Sequence, residues 1–329
     1  MSGGRWADRW TLLVYLPVVA LVVVGLFFVA RRVIDRPWTA RTWAGAAVVG
    51  DVVYVVGGQD PRRGMLDEIL AVDLGRRGQR VVGRLPFPAC GLACVSSGGR
   101  VYSLGGYDGE NHRGEVLCFN PVTRETRVVA ALPTPRAYGA AACWEGRLYY
   151  LGGWDGKGRL DEVVEIEPES GRASVIGRLP SPREFLAASA VQGLLFAVGG
   201  EESGGRLVDE VVAISPHTGE VVGIAHLPSP RARVAVAAAG GYLFCLGGRA
   251  GGPVADIVRL RPTPADMDVR LVGQLPQPVA DRAAVAAGGH IYLVGGQDQQ
   301  LERQLAVWEI DPETLATRRL ELRGRWLPW

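Results

Sequence analysis

Large polar and aromatic side chains recur along this chain in two series with regular spacing. One series lies two residues after an arginine or its replacement in a proline-rich turn: Trp43, Gly91, Tyr138, Phe185, Arg233 and Asp281. The other directly follows six Gly-Gly pairs: Gln59, Tyr107, Trp154, Glu201, Arg249 and Gln297. Trp, Tyr and Arg are enriched among residues that dominate binding energy at interfaces. The chemistry that these types predict is recognition of a partner, with packing of the aromatic rings on one another as the structural alternative.

Catalytic patterns are weak by comparison. The four histidines, His112, His217, His226 and His290, are scattered without ligand spacing, and five cysteines at irregular spacing make neither a disulfide framework nor a metal motif. A net charge of +2 gives no reason to expect a nucleic-acid surface. We therefore predict no catalytic residue, metal or cofactor, and no nucleic-acid partner.

The regular spacing of the two series follows from an internal repeat in the sequence. Gly-Gly pairs stand at 57–58, 105–106, 152–153, 199–200, 247–248 and 295–296, a period of 47 or 48 residues. Each pair ends a β-branched or aromatic run, such as Leu148–Leu151, that is typical of a strand. A proline turn and a strand of small residues precede the pair, and a polar loop, an acid and two further strands follow it. Four strands per unit and six units in phase are typical of a radial array.

These motifs resemble the kelch-repeat family. The shared features are the Gly-Gly after a hydrophobic strand, the Pro-Arg turn as in Pro135-Arg136, and an Asn- or Asp-Pro-x-Thr turn as in Asp311–Thr314. The resemblance covers residues 37 to 323, although the Tyr and Trp usual in the family are mostly replaced by small or aliphatic residues. It implies an all-β fold, a six-bladed β-propeller of four-stranded blades, with each blade built from one continuous segment.

The domain organisation follows from the repeat and from an apolar segment before it. The predicted parts are an N-terminal tail (1–10), a transmembrane helix (11–30), a linker (31–37), a propeller (38–323) and a C-terminal tail (324–329). The predicted blades are 38–84, 85–131, 132–178, 179–226, 227–274 and 275–323.

Residues Thr11 to Ala30 form an uncharged and mainly apolar stretch. Twenty helical residues span about 30 Å, the thickness of a hydrocarbon core. Phe27–Ala30 followed by Arg31-Arg32 is a poor signal-peptidase site, so we expect an uncleaved single-pass anchor. The flanking basic residues and the unpaired cysteines slightly favour a cytoplasmic propeller. An N-terminal anchor before a large domain is commonly of the exported type, so the side of the membrane that the propeller faces is left open.

What recurs in every blade is expected to be scaffold, and function is expected where the repeat is broken. The recurring arginine and the recurring acid should therefore pair structurally. The proline turn and the Gly-Gly loop emerge on one face, hereafter the loop face, which supplies many contacts in kelch proteins that bind peptides. The resemblance thus implies a membrane-anchored protein-interaction scaffold with an unknown protein partner.

Two alternatives of other classes remain. Some kelch-like propellers are enzymes, and a sugar mutarotase needs little beyond acid–base groups in the central pocket, which Arg233, Asp281 and Glu201 could supply. A passive glycan-binding envelope module is the other. Sugar anomerisation above the buffer rate would favour the enzyme, and glycan retention without turnover would favour the module.

Overall fold

Six four-stranded antiparallel sheets account for most of the described chain. The structure is a computed structural model that describes residues 41–262, 267–296 and 307–322. The predicted anchor (11–30), the linker (31–37), Gln297 and the C-terminal tail (324–329) lie outside the described residues. Within the described ranges, no helix has the length and apolar character needed to cross a membrane.

Each sheet, called a blade here, is formed by successive strands. Blade 1 contains β1 (Gly45–Val49), β2 (Val52–Val56), the short loop hairpin β3 (Gln59–Asp60) and β4 (Gly64–Met65), then β5 (Glu68–Asp73) and β6 (Gly78–Arg84). Blade 2 contains β7 (Ala93–Ser97), β8 (Arg100–Leu104), β9 (Glu115–Phe119) and β10 (Thr126–Ala131). Blade 3 contains β11 (Ala140–Trp144), β12 (Arg147–Leu151), β13 (Glu162–Glu167) and β14 (Arg172–Arg178).

The other three blades repeat this order. Blade 4 contains β15 (Ala187–Val191), β16 (Leu194–Val198), the hairpin β17 (Glu201–Glu202) and β18 (Arg206–Leu207) around a 3₁₀ turn (Ser203–Gly205), then β19 (Glu210–Ile214) and β20 (Val221–His226). Blade 5 contains β21 (Ala235–Ala239), β22 (Tyr242–Leu246), β23 (Val254–Pro262) and β24 (Met267–Val279). Blade 6 contains β25 (Ala283–Ala287), β26 (His290–Val294), β27 (Val307–Ile310) and β28 (Thr317–Leu320).

The first strand of each blade is innermost, and the six first strands form a closed ring. β1 contacts both β7 and β25, and contacts between β7 and β11, β11 and β15, β15 and β21, and β21 and β25 complete the circuit. Short side chains, as in the Ala-Val-Ala-Ala-Ala of β21, allow this crowding. The arrangement is a six-bladed β-propeller, as the sequence predicts, and no described four-stranded sheet combines strands from both ends of the chain.

The hydrophobic core lies between the faces of neighbouring blades. Between blades 3 and 4, for example, Tyr149 and Leu151 pack with Leu195 and Val212, and all four are buried. Each blade packs against two neighbours and alone would leave both of these faces in water, so the blades stabilise one another around the ring.

The Gly-Gly pairs lie where each blade contacts the next one. In blade 3 the Gly153 N–H donates to the carbonyl oxygen of Arg183 in the turn of blade 4, at 2.9 Å. A Cβ on Gly152, whose φ is +62°, would lie 2.6 Å from that same oxygen. The equivalent bond runs from Gly58 to Ala89, Gly106 to Arg136, Gly200 to Arg231 and Gly248 to Val279. The motif therefore recurs because the next blade leaves no room for a side chain.

The recurring arginines and acids form ion pairs within their own blades, which confirms the predicted pairing. The pairs are Arg41–Glu68 at 3.2 Å, Arg136–Glu162, Arg183–Glu210 at 2.6 Å and Arg231–Asp256 at 2.8 Å, and each arginine side chain is 0% exposed. Blade 2 has Ala89 in place of the arginine, and its acid Glu115 pairs with Arg113 instead.

Candidate functional site

The first series of predicted residues surrounds the mouth of the central channel on the loop face. This channel mouth is defined by Trp43, Gly91, Tyr138, Phe185, Arg233 and Asp281. All six have positive φ, between 54° and 64°, a conformation that residues other than glycine, and aromatic ones especially, adopt rarely. Successive backbone N–H groups each donate to the carbonyl of the preceding blade, from Gly91 to Trp43, Tyr138 to Gly91, Phe185 to Tyr138 and Arg233 to Phe185, at 2.7–3.0 Å. The left-handed turn is thus part of a backbone hydrogen-bond series that runs from blade 1 to blade 5.

The charged side chains of the channel mouth pair with one another. Asp281 Oδ1 accepts hydrogen bonds from Trp43 Nε1 at 3.1 Å and from Arg233 Nη1 at 2.9 Å. The Asp281 side chain is 3% exposed, and the Arg233 guanidinium lies 3.9 Å from the centre of the Phe185 ring. Both charges are therefore paired with each other inside the channel mouth.

Aromatic rings fill the other side of the channel mouth. The Tyr138 ring centre lies 6.1 Å from that of Trp43 and 5.0 Å from that of Phe185. The Tyr138 ring also occupies the space over Gly91, where a Cβ would lie 2.6 Å from it. Burial raises the pKa of the Tyr138 phenol, and the neighbouring Cys90 raises it further, so the phenol stays neutral. The aromatic side chains of the channel mouth therefore pack against one another, and like most rim residues they remain half-buried.

The second series forms a rim outside the channel mouth. The described rim residues are Gln59, Tyr107, Trp154, Glu201 and Arg249, and each exchanges two backbone hydrogen bonds with the residue just before a channel-mouth position. Arg249 is exposed and the other four are half-buried, so their side chains are accessible from the loop face. The rim is thus held by a rigid ladder while its side chains vary from blade to blade.

Rim aromatics have polar neighbours that fix their rings. The Arg159 guanidinium lies 5.5 Å from the centre of the Trp154 ring, and the Tyr107 and His112 rings are 5.1 Å apart. The Tyr107 hydroxyl donates to the Gly109 carbonyl at 2.7 Å. Aromatic side chains whose rotamers are fixed before binding lose little conformational entropy when they contact a partner.

Glu184 is a polar residue that the sequence analysis did not single out. Arg159 Nη2 lies 2.8 Å from Glu184 Oε1 and 2.9 Å from Glu201 Oε1, which brings two carboxylates to one guanidinium beside the channel mouth. Burial raises the pKa of the Glu184 carboxyl, the negative charge of Glu201 adds to the rise, and the charge of Arg159 opposes it. Glu184 could be recognised in the sequence, because the five equivalent residues are uncharged: Thr42, Cys90, Ala137, Ala232 and Ala280.

Other chemistry has little support in the described part of the chain. There, no three His, Cys, Asp or Glu side chains are grouped so that they could hold a metal ion. The five cysteines are free, and burial raises the pKa of the Cys245 thiol to about 12. A groove of 880 Å³ lies on the opposite face between blades 2 and 3, and its lining includes Arg100, Arg127, Glu145 and Glu167.

Comparison with known proteins agrees with the fold. The family model described as the KLHDC2/KLHL20/DRC7 Kelch-repeats domain matches residues 43–248. A solved structure described as the structure of YjhT superposes with a TM-score of 0.72 at 15% sequence identity, covering 87% of this chain and 99% of that chain. No curated protein matches the sequence.

Proposed function

We propose, because this chain belongs to the kelch-repeat family, that it is a protein-interaction module that binds its partner through the rim of the loop face. The observation that supports this is the contrast between a repeated backbone and varied side chains at the rim. Five described rim positions share one backbone pairing and carry five different residues. A scaffold that repeats its backbone and varies its accessible aromatic and charged groups is suited to specific recognition.

We divide the two series of predicted residues into those that support the rim and those that contact the partner. Trp43, Tyr138, Phe185, Arg233 and Asp281 contact one another in the channel mouth, so we assign them to supporting the rim. Trp154, Tyr107 and Arg249 are the anchors, since they combine access from the loop face with large contact area. Substitution of anchor residues should weaken binding without disturbing the channel mouth.

Site-specific photocrosslinking of the full-length chain in its host cells tests this assignment. A photoreactive residue at Tyr107 or at Trp154 should capture one discrete partner. The same residue at Val122, which is 89% exposed on the opposite face, should not. Equal capture at Val122 would contradict a loop-face site.

The double substitution Trp154→Ala and Tyr107→Ala should reduce binding of the captured partner by roughly tenfold or more, since loss of an anchor residue costs about 1–2 kcal/mol or more. The measurement is a binding isotherm with the purified full-length chain. Unchanged affinity in a variant that keeps its unfolding midpoint would overturn the assignment.

We further propose that residues 11–30 anchor the module in a membrane. The uncharged, mainly apolar length of this segment supports the proposal, and ten extended residues, 31–40, reach at most about 35 Å. Its partner would then belong to the membrane or lie close to it. Carbonate extraction should leave the full chain in the membrane fraction, and release into the supernatant would overturn the anchor. Protease added before and after cell lysis would show which side the propeller faces.

A second candidate function is sugar anomerisation by the carboxylates beside the channel mouth. It is favoured by one observation: Glu184 and Glu201 share Arg159, and burial raises the pKa of the Glu184 carboxyl, which is the direction that favours a carboxyl able to donate a proton. Exchange between sugar anomers, followed by NMR, should exceed the buffer rate and fall at least about tenfold in Glu184→Gln. No acceleration over buffer across a panel of reducing sugars would rule this function out.

A further inference from the structure

The outer strand of blade 4 differs from the outer strands of the other five blades. An outermost strand has one edge without a partner strand, and proteins commonly protect such an edge with charged side chains. The other described outer strands all carry arginine: β6 has Arg80 and Arg84, β10 has Arg127, β14 has Arg172 and Arg178, β24 has Arg270, and β28 has Arg318 and Arg319. β20 reads Val-Val-Gly-Ile-Ala-His and contains no Asp, Glu, Lys or Arg.

The unprotected strand is also apolar and accessible. Val222 is 56% exposed and Ile224 is 46% exposed, and Val221 adds a further 37% exposed side chain. β20 pairs with β19 on one side and is the last strand of its sheet, so its backbone N–H and C=O groups on the other side remain available within the described structure. An extended, β-branched edge of this kind is a template for one more strand.

The residues of β20 are arranged so that the strand is complementary to itself. In an antiparallel pair related by a two-fold axis, hydrogen-bonding direction alternates along each strand, so one residue must face its own copy. With Gly223 on the axis, Val222 faces Ile224 of the second strand. In the same register Glu220, directly before β20, faces His226, whose Nδ1 lies 3.1 Å from Asp209 Oδ1 of its own chain and whose other ring nitrogen has no described partner. Apolar residues then oppose apolar residues, and a carboxylate opposes a base, which is the pairing that stabilises cross-strand neighbours.

We propose that two copies of this chain associate through antiparallel pairing of β20 with β20, with Gly223 on the two-fold axis. The result is a continuous eight-stranded sheet made from blade 4 of each copy. This interface lies on the perimeter of the propeller, away from the rim, so it is independent of the proposed binding function. One dimer would present two rims, which raises avidity for a partner with repeated sites.

Molar mass of the purified full-length chain, measured by sedimentation velocity with correction for bound detergent, tests the proposal. We expect wild-type protein at twice the chain mass of 35.2 kDa. Ile224→Lys, which places a charge at the interface in both copies, should weaken association by about tenfold or more and give the single-chain mass at the same concentration. The matched control is Val128→Lys on β10 of blade 2, also exposed on an outer strand, and it should leave the dimer intact.

Charge exchange tests the register itself. Glu220→Lys and His226→Glu should each weaken the dimer, because each alters one side of the predicted cross-strand pair, and the double variant should restore it. A wild-type chain that is monomeric up to high micromolar concentration would overturn the proposal, and the edge would then fit a strand of another protein. Dimerisation that survives Ile224→Lys, or a double variant no stronger than either single one, would overturn it as well.

Discussion

Replacement of Gly152 by alanine should lower the free energy of unfolding by about 3 kcal/mol. One part, about 1–2 kcal/mol, comes from placing an L-residue in the left-handed region, since φ of Gly152 is +62°. The rest comes from overlap, because the new Cβ would lie 2.6 Å from the backbone carbonyl oxygen of Arg183. That oxygen belongs to the turn of the next blade, so the only relief is a shift of one blade against the other, at about 1–3 kcal/mol.

Gly146→Ala is the matched control for this prediction. Gly146 lies in the same blade and has φ of +80°, yet nothing lies within 4 Å of its added Cβ. It should therefore show the conformational cost alone, about 1–2 kcal/mol. Urea denaturation of the full-length chain, followed by tryptophan fluorescence, measures both variants. Equal shifts of the urea midpoint for Gly152→Ala and Gly146→Ala would show that close contact with the next blade does not require glycine at position 152.

Loss of the buried guanidinium in Arg231→Met should destabilise the fold by a similar amount, about 3 kcal/mol. Arg231 is 0% exposed and donates to Asp256 at 2.8 Å, to the Gly247 carbonyl at 3.3 Å and to the Ser229 hydroxyl at 2.7 Å. Removing one partner of a buried ion pair costs about 3–5 kcal/mol of stability. The lower end applies here, because the Asp256 side chain is 23% exposed and water can reach part of it.

Two further variants test whether the loss of stability comes from the burial of Arg231 and from the carboxylate that it leaves unpaired. Arg178→Met removes the partner of Asp161, at 2.5 Å, but Arg178 is 63% exposed, and we expect a loss below about 1 kcal/mol. Adding Asp256→Leu to Arg231→Met should recover part of the lost stability, because no unpaired carboxylate then remains. Thermal melting followed by circular dichroism measures all three, and an Arg231→Met shift no larger than that of Arg178→Met would refute the assigned role.

The fold could be predicted because its signals are local and repeated. Each Gly-Gly pair, proline turn and alternating strand is recognisable within one repeat, and six repeats in phase leave few other architectures. The pairing of the recurring arginine with the recurring acid was also predictable, since both appear in most units at fixed spacing. The N-terminal anchor stays a prediction, as do the blade boundaries at 38–84 and onward.

The state of the channel mouth could not be predicted in the same way. Trp43, Tyr138, Phe185 and Arg233 have no intrinsic preference for positive φ, and only the hydrogen bonds between successive blades account for it. That these side chains fill the mouth depends on contacts between residues far apart in sequence. Glu184 could have been found by asking which residue breaks the repeat just before each channel-mouth position.

The Trp43–Asp281 hydrogen bond has a consequence for the order of folding. It joins residues 238 positions apart, whereas the other blade interfaces join segments that are adjacent in sequence. Closing a loop of this length costs about 5 kcal/mol of chain entropy, and contacts of low sequence separation form sooner. Blades 1 to 6 should therefore assemble progressively as an open arc, and the seam between blades 6 and 1 should form last and open first. Asp281, which bonds to Trp43 and to Arg233 at once, closes the circle together with the packing of β1 against β25.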